Sequence, residues 1–358
     1  MAGNSSLGKA KEAKQDEFYT QLSDIEDELK HYRKHFQGKT VLCNCDDPFE
    51  SNFFKYFALN FNRLGLKKLI STCYSGSPIT GTQLSMFGDE TEEQRRTPYK
   101  AIVTSVHDAN GNGGVDMLDV AELFRSGENT IERLEGNGSY DSQECLELLD
   151  EADIIVTNPP FSLFREYVST LVGHSKDFLI IGSDKGRKYA EIFPLIKGNR
   201  IWLGVTHPKK FFVPDSYQNK NVKIDADGKR YMTMGNVCWY TNLDIKKRHE
   251  RMLLYKRYDP DLYPRYVNFD GIDVAHAGDI PCDYAGNMGV PINYLDQYNP
   301  EQFEIIGLGE GDLAKEIGIT RNHEGRTKLE YQLENGSYKR PFARIVIRNL
   351  NPENPKEA

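Results

Sequence analysis

A doubly wound α/β sheet, interrupted by an inserted β-hairpin and followed by a smaller α+β module, is the fold this sequence predicts. Three observations carry it. Short apolar strands and amphipathic helices alternate from residue 38 to about residue 244. The strand-like Asp153-Ile-Ile-Val-Thr157 runs directly into the rigid turn Asn158-Pro159-Pro160-Phe161, placed where open α/β sheets hold ligands. Near Asp244 the composition turns basic and then rich in Tyr, Pro and Asn, as expected where one domain gives way to another.

Taken in order, Asp16 to Phe36 sets Phe18, Leu22, Ile25, Leu29, Tyr32 and Phe36 at helical spacing, so a helix closed by Gly38 is expected to lead into the core. Thr40 to Cys43 reads as a buried strand, Phe49 to Leu64 as a helix with Phe53, Phe54, Phe57 and Phe61 on one face, and Lys68 to Tyr74 as a second strand. Residues 75–97 are polar and turn-rich, an exposed loop. Ala101 to Val106 and Val115 to Leu123 flank an Asn/Gly cluster and predict a β-hairpin. The spacing of Asp108, Asn110, Asn112 and Asp119 also matches a calcium loop, but strand-like flanks favour a hairpin tip, and no metal is expected. A helix from Ser142 to Leu149, the strand to Thr157, a helix from Leu163 to Val172, the strand Phe178–Gly182 and a late strand Val237–Thr241 complete the sheet.

Hydrophobic residues at 39% and charged residues at 27% describe a soluble globular chain. No apolar run approaches the roughly 20 residues that span a bilayer, and the first residues lack the apolar stretch of a signal peptide, so a cytoplasmic location is expected. Six cysteines stand without C-x-x-C pairs, which excludes a zinc ribbon or a disulfide framework from the reading. The net charge of −8 argues against a polyanionic partner until its distribution is considered. Lys209 to Arg257 holds 12 Lys and Arg against 5 Asp and Glu, a local +7 on an otherwise acidic chain. Lys209, Lys210, Lys246, Lys247 and Arg248 are therefore candidate phosphate contacts, with Trp239 a stacking or core residue among them.

The turn at Asn158 carries the chemistry. An amino group conjugated to an aromatic ring is a poor nucleophile, because its lone pair is delocalised. The Asn158 amide oxygen and the Pro159 carbonyl can accept both of its hydrogens and turn the lone pair outward. Pro159 and Pro160 stiffen the turn, and Phe161 offers a face on which a base can stack. Read without that chemistry, the same residues are a loop terminator with a packed Phe.

TNPPFSLFREY, SNFFKYF, NVCWYTNL and MGVPINYLDQYNPEQFEIIG resemble the adenine-specific DNA methyltransferases of the EcoRI methylase type over most of the chain. The resemblance implies a Rossmann-like methyltransferase sheet and transfer of a methyl group from S-adenosylmethionine to the N6 amine of a flipped adenine in double-stranded DNA. It also implies catalytic Asn158, Pro159, Pro160 and Phe161, and a cognate restriction endonuclease as partner. Phe18, Tyr19 and Thr20 resemble the motif that contacts the methionine end of the donor. Cys43, Asn44, Asp46, Asp47 and Pro48 stand where a glycine-rich cofactor loop is usual, although Asp46 and Asp47 also read as helix caps. No acid follows the second strand to hold a ribose, and Ser139 stands where the family's loop at 136–142 has Asp. The expected division is a helical cofactor-capping segment at 1–37, a catalytic domain at 38–244 with its hairpin at about 98–124, and a target-recognition module at 245–358. RNA adenine or a protein glutamine as substrate, and a catalytically silent DNA-binding protein, are the competing readings.

Overall fold

The computed structural model describes residues 19–45, 51–73, 98–108, 111, 112, 114–124, 127–213, 220–226 and 228–354. The chain divides into two compact units, Met1–Glu191 with Leu203–Leu243, and Ile192–Trp202 with Asp244–Ala358. No helix among the described residues is long and apolar enough to cross a membrane.

The first unit opens with strand β1 (Tyr19–Thr20), helix α1 (Leu22–Leu29) and a single helical turn, Arg33–Phe36. This corrects the continuous helix expected from Asp16. Tyr19 and Thr20 pair with Phe212 and Phe211, a partner far away in sequence that periodicity cannot reveal. The stripe itself is real, since Ile25, Leu29, Tyr32 and Phe36 are fully buried. Strand β2 (Thr40–Cys43) follows, then helix α2 (Asn52–Leu59), whose first amides, Phe53 and Phe54, donate to the Ser51 hydroxyl at 3.2 and 3.4 Å. Phe53, Phe54 and Phe57 turn inward, as does Phe61 in the next helical turn, and Gly65 ends that turn at φ 63°.

Strand β3 (Lys68–Thr72) lies parallel to β2, β4 (Tyr99–Val103) antiparallel to β3, and β5 (Thr130–Arg133) antiparallel to β4. The expected second hairpin strand at Val115–Leu123 is corrected: Met117–Glu122 is helical, and β4 takes β5 as its partner. The local signal is a reciprocal cap. Asp116 N–H donates to Asp119 Oδ2 at 2.8 Å and Asp119 N–H to Asp116 Oδ1 at 3.3 Å.

Helix α3 (Gln143–Glu151), capped by Ser142, leads into β6 (Ile154–Thr157), and helix α4 (Phe164–Gly173) leads into β7 (Asp177–Ser183). Then come β8 (Trp202–Leu203), β9 (Lys210–Phe212), β10 (Lys223–Ile224), β11 (Arg230–Thr233) and β12 (Val237–Thr241). The main sheet has eight strands in the order β5-β4-β3-β2-β6-β7-β12-β8. Its centre, β3-β2-β6-β7, is parallel, and β4 and β12 join it antiparallel on either side. From β2 the chain steps outward to β3, and from β6 outward the other way to β7, so the strand order reverses between β2 and β6. All residues of β2, β6 and β12 are buried. Phe164 seats α4 on β7 through Gly182, where an added Cβ would lie 2.4 Å from the ring. A small sheet, β1-β9-β11-β10, completes the unit.

The second unit is built on the sheet β13 (Ile272–Asp273), β14 (Met288–Pro291), β18 (Arg344–Asn349), β15 (Phe303–Leu308), with a hairpin of β16 (Tyr331–Gln332) and β17 (Tyr338–Lys339). Tyr266, Ala314, Ile319, Leu329, Tyr331 and Val346 form a core cluster. Beside it Arg344 pairs with buried Asp273 at 2.8 Å, and the Tyr266 hydroxyl donates to the same carboxylate at 2.6 Å. Residues 192–202 belong to this unit although they precede β12 in sequence. The composition shift at Asp244 could not disclose them.

Candidate active site

Ligands in open α/β sheets bind outside the carboxyl ends of the strands, where the strand order reverses. Here those ends belong to β2 and β6, and the residues that follow them are Asn44-Cys45 and Asn158-Pro159-Pro160-Phe161. Asn158 is 8% exposed, and its amide oxygen is shielded from solvent. In such a setting a hydrogen bond to it is electrostatically stronger than in water. Pro160 (φ −54°, ψ 128°) turns the chain into a single 3-10 turn, Phe161–Leu163, closed by the Leu163 amide donating to the Pro160 carbonyl at 2.9 Å. Phe161 is half-buried at the mouth of this turn.

Two hydrogen bonds tie the strand ends together. Thr157, the last residue of β6, donates through its hydroxyl to the Asn44 carbonyl, and the Tyr167 hydroxyl on α4 donates to Asn44 Oδ1. Asn44, 4% exposed, thus uses its side chain to fix the loop after β2 against the helix after the Asn158 turn. Cys43 is buried in β2, and its carbonyl accepts from the Ser71 hydroxyl at 2.9 Å. Cys45 adopts φ 73°, a conformation a glycine would take without strain. A residue with the φ of a glycine therefore follows β2 although G-x-G is absent. Asp46, Asp47, Pro48 and Phe18 lie outside the described residues. The cap of α2 is Ser51, so neither aspartate is needed for that role.

Tyr140 is a residue the sequence pattern does not single out. Its ring meets Tyr167 edge-on at 5.0 Å, and burial pushes its hydroxyl up to about 12, so it stays protonated at neutral pH. In the same loop the Ser139 hydroxyl donates to Asp141 Oδ1, which puts a carboxylate two residues beyond the position where the pattern asks for one. At the end of β3, Thr72 and the following Cys73 are buried, and neither is an acid. The donor set fits a methyl-sulfonium nucleoside: aromatic rings that tolerate a cation, a positive-φ backbone loop and a loop carboxylate. Among the described residues no cluster of three or more His, Cys, Asp or Glu is arranged to hold a metal ion.

The N-terminal segment is joined to this region and to the basic stretch. Asn52, at the start of α2, donates to the Thr20 carbonyl at 2.7 Å. On α1, Asp24 and Glu28 stand one turn apart. Glu28, fully buried, accepts from Tyr32 Oη (2.7 Å), Val205 N (2.8 Å), and Thr206 N and Oγ1 (2.6 and 2.7 Å). Asp24, raised by burial, accepts from the amides of Lys209 and Lys210. Two carboxylates thereby hold the backbone that enters β9.

The basic residues are less available than their number suggests. Lys210 pairs with Asp225 at 3.2 Å and lies 4.4 Å from the Tyr231 ring centroid. Arg248 stacks 3.8 Å over the Trp202 ring and donates to Asn199 at 2.9 Å. Lys209 and Lys246 are exposed and Lys247 is half-buried. Trp239 is fully buried in β12, edge-on to Phe53 at 6.0 Å. This corrects its candidacy for DNA contact: it fills the core because every residue of β12 is covered on both faces.

With this geometry in place, comparison with known proteins is informative. Residues 6–350 match the family described as adenine-specific methyltransferase EcoRI. The chain is 42% identical to the Type II methyltransferase M.EcoRI of Escherichia coli, over 97% of each chain. It is 33% identical to the Type II methyltransferase M.MpnI of Mycoplasma pneumoniae, over 96% of this chain and 97% of that one. Identity to the Type II methyltransferase M.MgeORF184P of Mycoplasma genitalium is also 33%, over 96% and 98%. No solved structure matches the chain.

Proposed function

This chain belongs to the EcoRI family of adenine-specific methyltransferases, and from that premise we propose that it is a Type II DNA methyltransferase acting on the N6 amine of an adenine flipped from duplex DNA. The observation that carries the reading is the tethering of Asn44 to Thr157 and Tyr167, which flank the Asn158 turn, across the reversal in strand order. On a Rossmann-like sheet those two loops are the donor and acceptor sides of one crevice.

S-adenosylmethionine, when bound, supplies an electrophilic methyl group and leaves as a neutral thioether that keeps the electron pair of the broken carbon–sulfur bond. The protein's part is positional. Asn158 Oδ1 and the Pro159 carbonyl accept the two amine hydrogens, hold the nitrogen lone pair in line and disfavour its conjugation with the ring. Phe161 stacks on the extrahelical base. The methylated nitrogen carries the new positive charge and releases its proton to water, so no general base is required of the protein. Cys45 and its backbone, Tyr140 and Asp141 line the donor side, joined by Tyr19 and Thr20 toward the methionine end. The part of the second unit from residue 245 onward is read as the target-recognition module, and a restriction endonuclease cutting the same sequence would be its functional counterpart.

Incubation of the protein with radiolabelled S-adenosylmethionine and, separately, duplex DNA, RNA and protein tests the assignment. Label recovered as N6-methyladenine from the DNA alone is expected. Label in RNA or in glutamine, with none in DNA, overturns it.

A further inference from the structure

The second unit carries cations that its own carboxylates do not take up. Between Thr320 and Arg340 stand five Lys and Arg (Arg321, Arg326, Lys328, Lys339, Arg340) and three Glu (Glu324, Glu330, Glu334). Glu330 is fully buried and accepts from Arg340 Nε at 2.7 Å, with His323 Nδ1 at 2.5 Å on its other oxygen. Arg340 also reaches Glu324 at 2.8 Å, and Lys328 pairs with Glu310 at 3.1 Å. Among the described residues, Arg321, Arg326 and Lys339 are exposed and have no ion pair. Glu334, at the far tip of the hairpin, is the acid left over.

These cations stand on a rigid support. Asn322 Oδ1 accepts from the amides of Glu324 and Arg326, both at 3.0 Å, and Gly325 turns the chain at φ 77°. Asn268 donates to the carbonyls of Thr320 and Lys328, each at 2.9 Å, and so closes the base of the turn. The His323 ring stacks on Tyr338 of β17, with centroids 3.6 Å apart and planes 25° apart. That stack fixes the turn against the β16–β17 hairpin, with Glu330 and Arg340 behind it.

We propose that this turn and hairpin form a DNA-backbone contact of the second unit, in which Arg321, Arg326 and Lys339 bind phosphates of the substrate duplex. Cations that have no carboxylate partner break no ion pair when they meet a phosphate, and each contact releases counterions condensed on the duplex. The turn and hairpin that carry these cations are held before binding and give up little backbone freedom on docking. The Tyr338–His323 stack acts as the positioning element. This inference rests on the reading that the chain acts on duplex DNA.

The test is the salt dependence of duplex binding by the full chain, measured by fluorescence anisotropy with S-adenosylmethionine present. Wild type is compared with the triple variant Arg321→Ala, Arg326→Ala, Lys339→Ala. The slope of log affinity against log salt should fall by about 0.9 for each phosphate that is no longer neutralised, hence by between about 2 and 3 in the triple variant. Affinity should drop alike for duplexes with and without the methylation site, while donor binding and thermal melting stay as in wild type. A wild-type protein that binds and methylates duplex DNA, with a slope the triple variant leaves unchanged, overturns the backbone contact alone. A wild-type protein that neither binds nor methylates duplex DNA overturns the functional reading beneath it.

Discussion

The ends of β2 and β6 and the basic stretch from Lys209 to Arg257 invite comparison, because both are expected from the sequence to touch substrate and they are built on opposite terms. At the strand ends the groups that matter are uncharged and mostly buried: Asn44, Thr157, Asn158, the two prolines and Tyr167. Along the basic stretch they are charged, and many are already engaged. Lys210 is held by Asp225, Arg248 by Trp202 and Asn199, and Arg257 by Asp283 at 3.5 Å. A contiguous motif after a strand is positioned by that strand, so its role is visible locally. A cation's availability depends on partners that come from anywhere in the chain, so a count of charges overstates what remains for a phosphate.

That contrast can be tested first at the segment that leads into the basic stretch. Glu28 on α1 is a buried charge whose removal strands two amides, a threonine hydroxyl and a tyrosine hydroxyl. Glu28→Ala should lower unfolding stability by about 3 kcal/mol, measured by chemical denaturation, the largest loss of stability expected here. An unchanged midpoint would mean that the segment entering β9 is held by other contacts. Tyr167→Phe deletes one hydroxyl and leaves Asn44 Oδ1 short of a buried donor, at a cost of about 1 to 2 kcal/mol. The same variant should raise the KM for S-adenosylmethionine more than it lowers kcat, since it loosens the loop after β2 and leaves the Asn158 turn intact. Equal effects on both parameters would count against separate donor and acceptor sides. The smallest effect is expected of Lys210→Ala: with Asp225 already neutralising that cation, the salt slope of DNA binding should fall by less than the roughly 0.9 of a full phosphate contact. A drop as large as that full value would restore the simple charge count.

Most of the central sheet was legible because its strands are short apolar runs bounded by turns. Thr40–Cys43, Ile154–Thr157, Asp177–Ser183 and Val237–Thr241 fall within a residue or so of where the pattern places them. The misplaced elements fail for physical reasons. Tyr19–Thr20 is a strand only because β9 offers it an edge, and Met117–Glu122 is helical on the strength of a cap written as Asp116-x-x-Asp119. In the candidate site, the place of the Asn158 to Phe161 turn directly after a buried strand could be read from the sequence. The Asn44–Tyr167 tether, the place of Tyr140 and the clamp of Asp24 and Glu28 could not, because each joins residues that meet only once the sheet has formed. Cys45 shows the converse: a loop can keep the φ of glycine without the residue, and a search for glycines passes over it.

The central claim is that the Asn158 amide grips the amine that receives the methyl group and does nothing for donor binding. Asn158→Ala, assayed by single-turnover methylation of a duplex alongside calorimetric binding of S-adenosylmethionine, tests it most directly. The account predicts a rate at least about 100-fold lower with donor affinity unchanged. A rate near that of the wild type would contradict it.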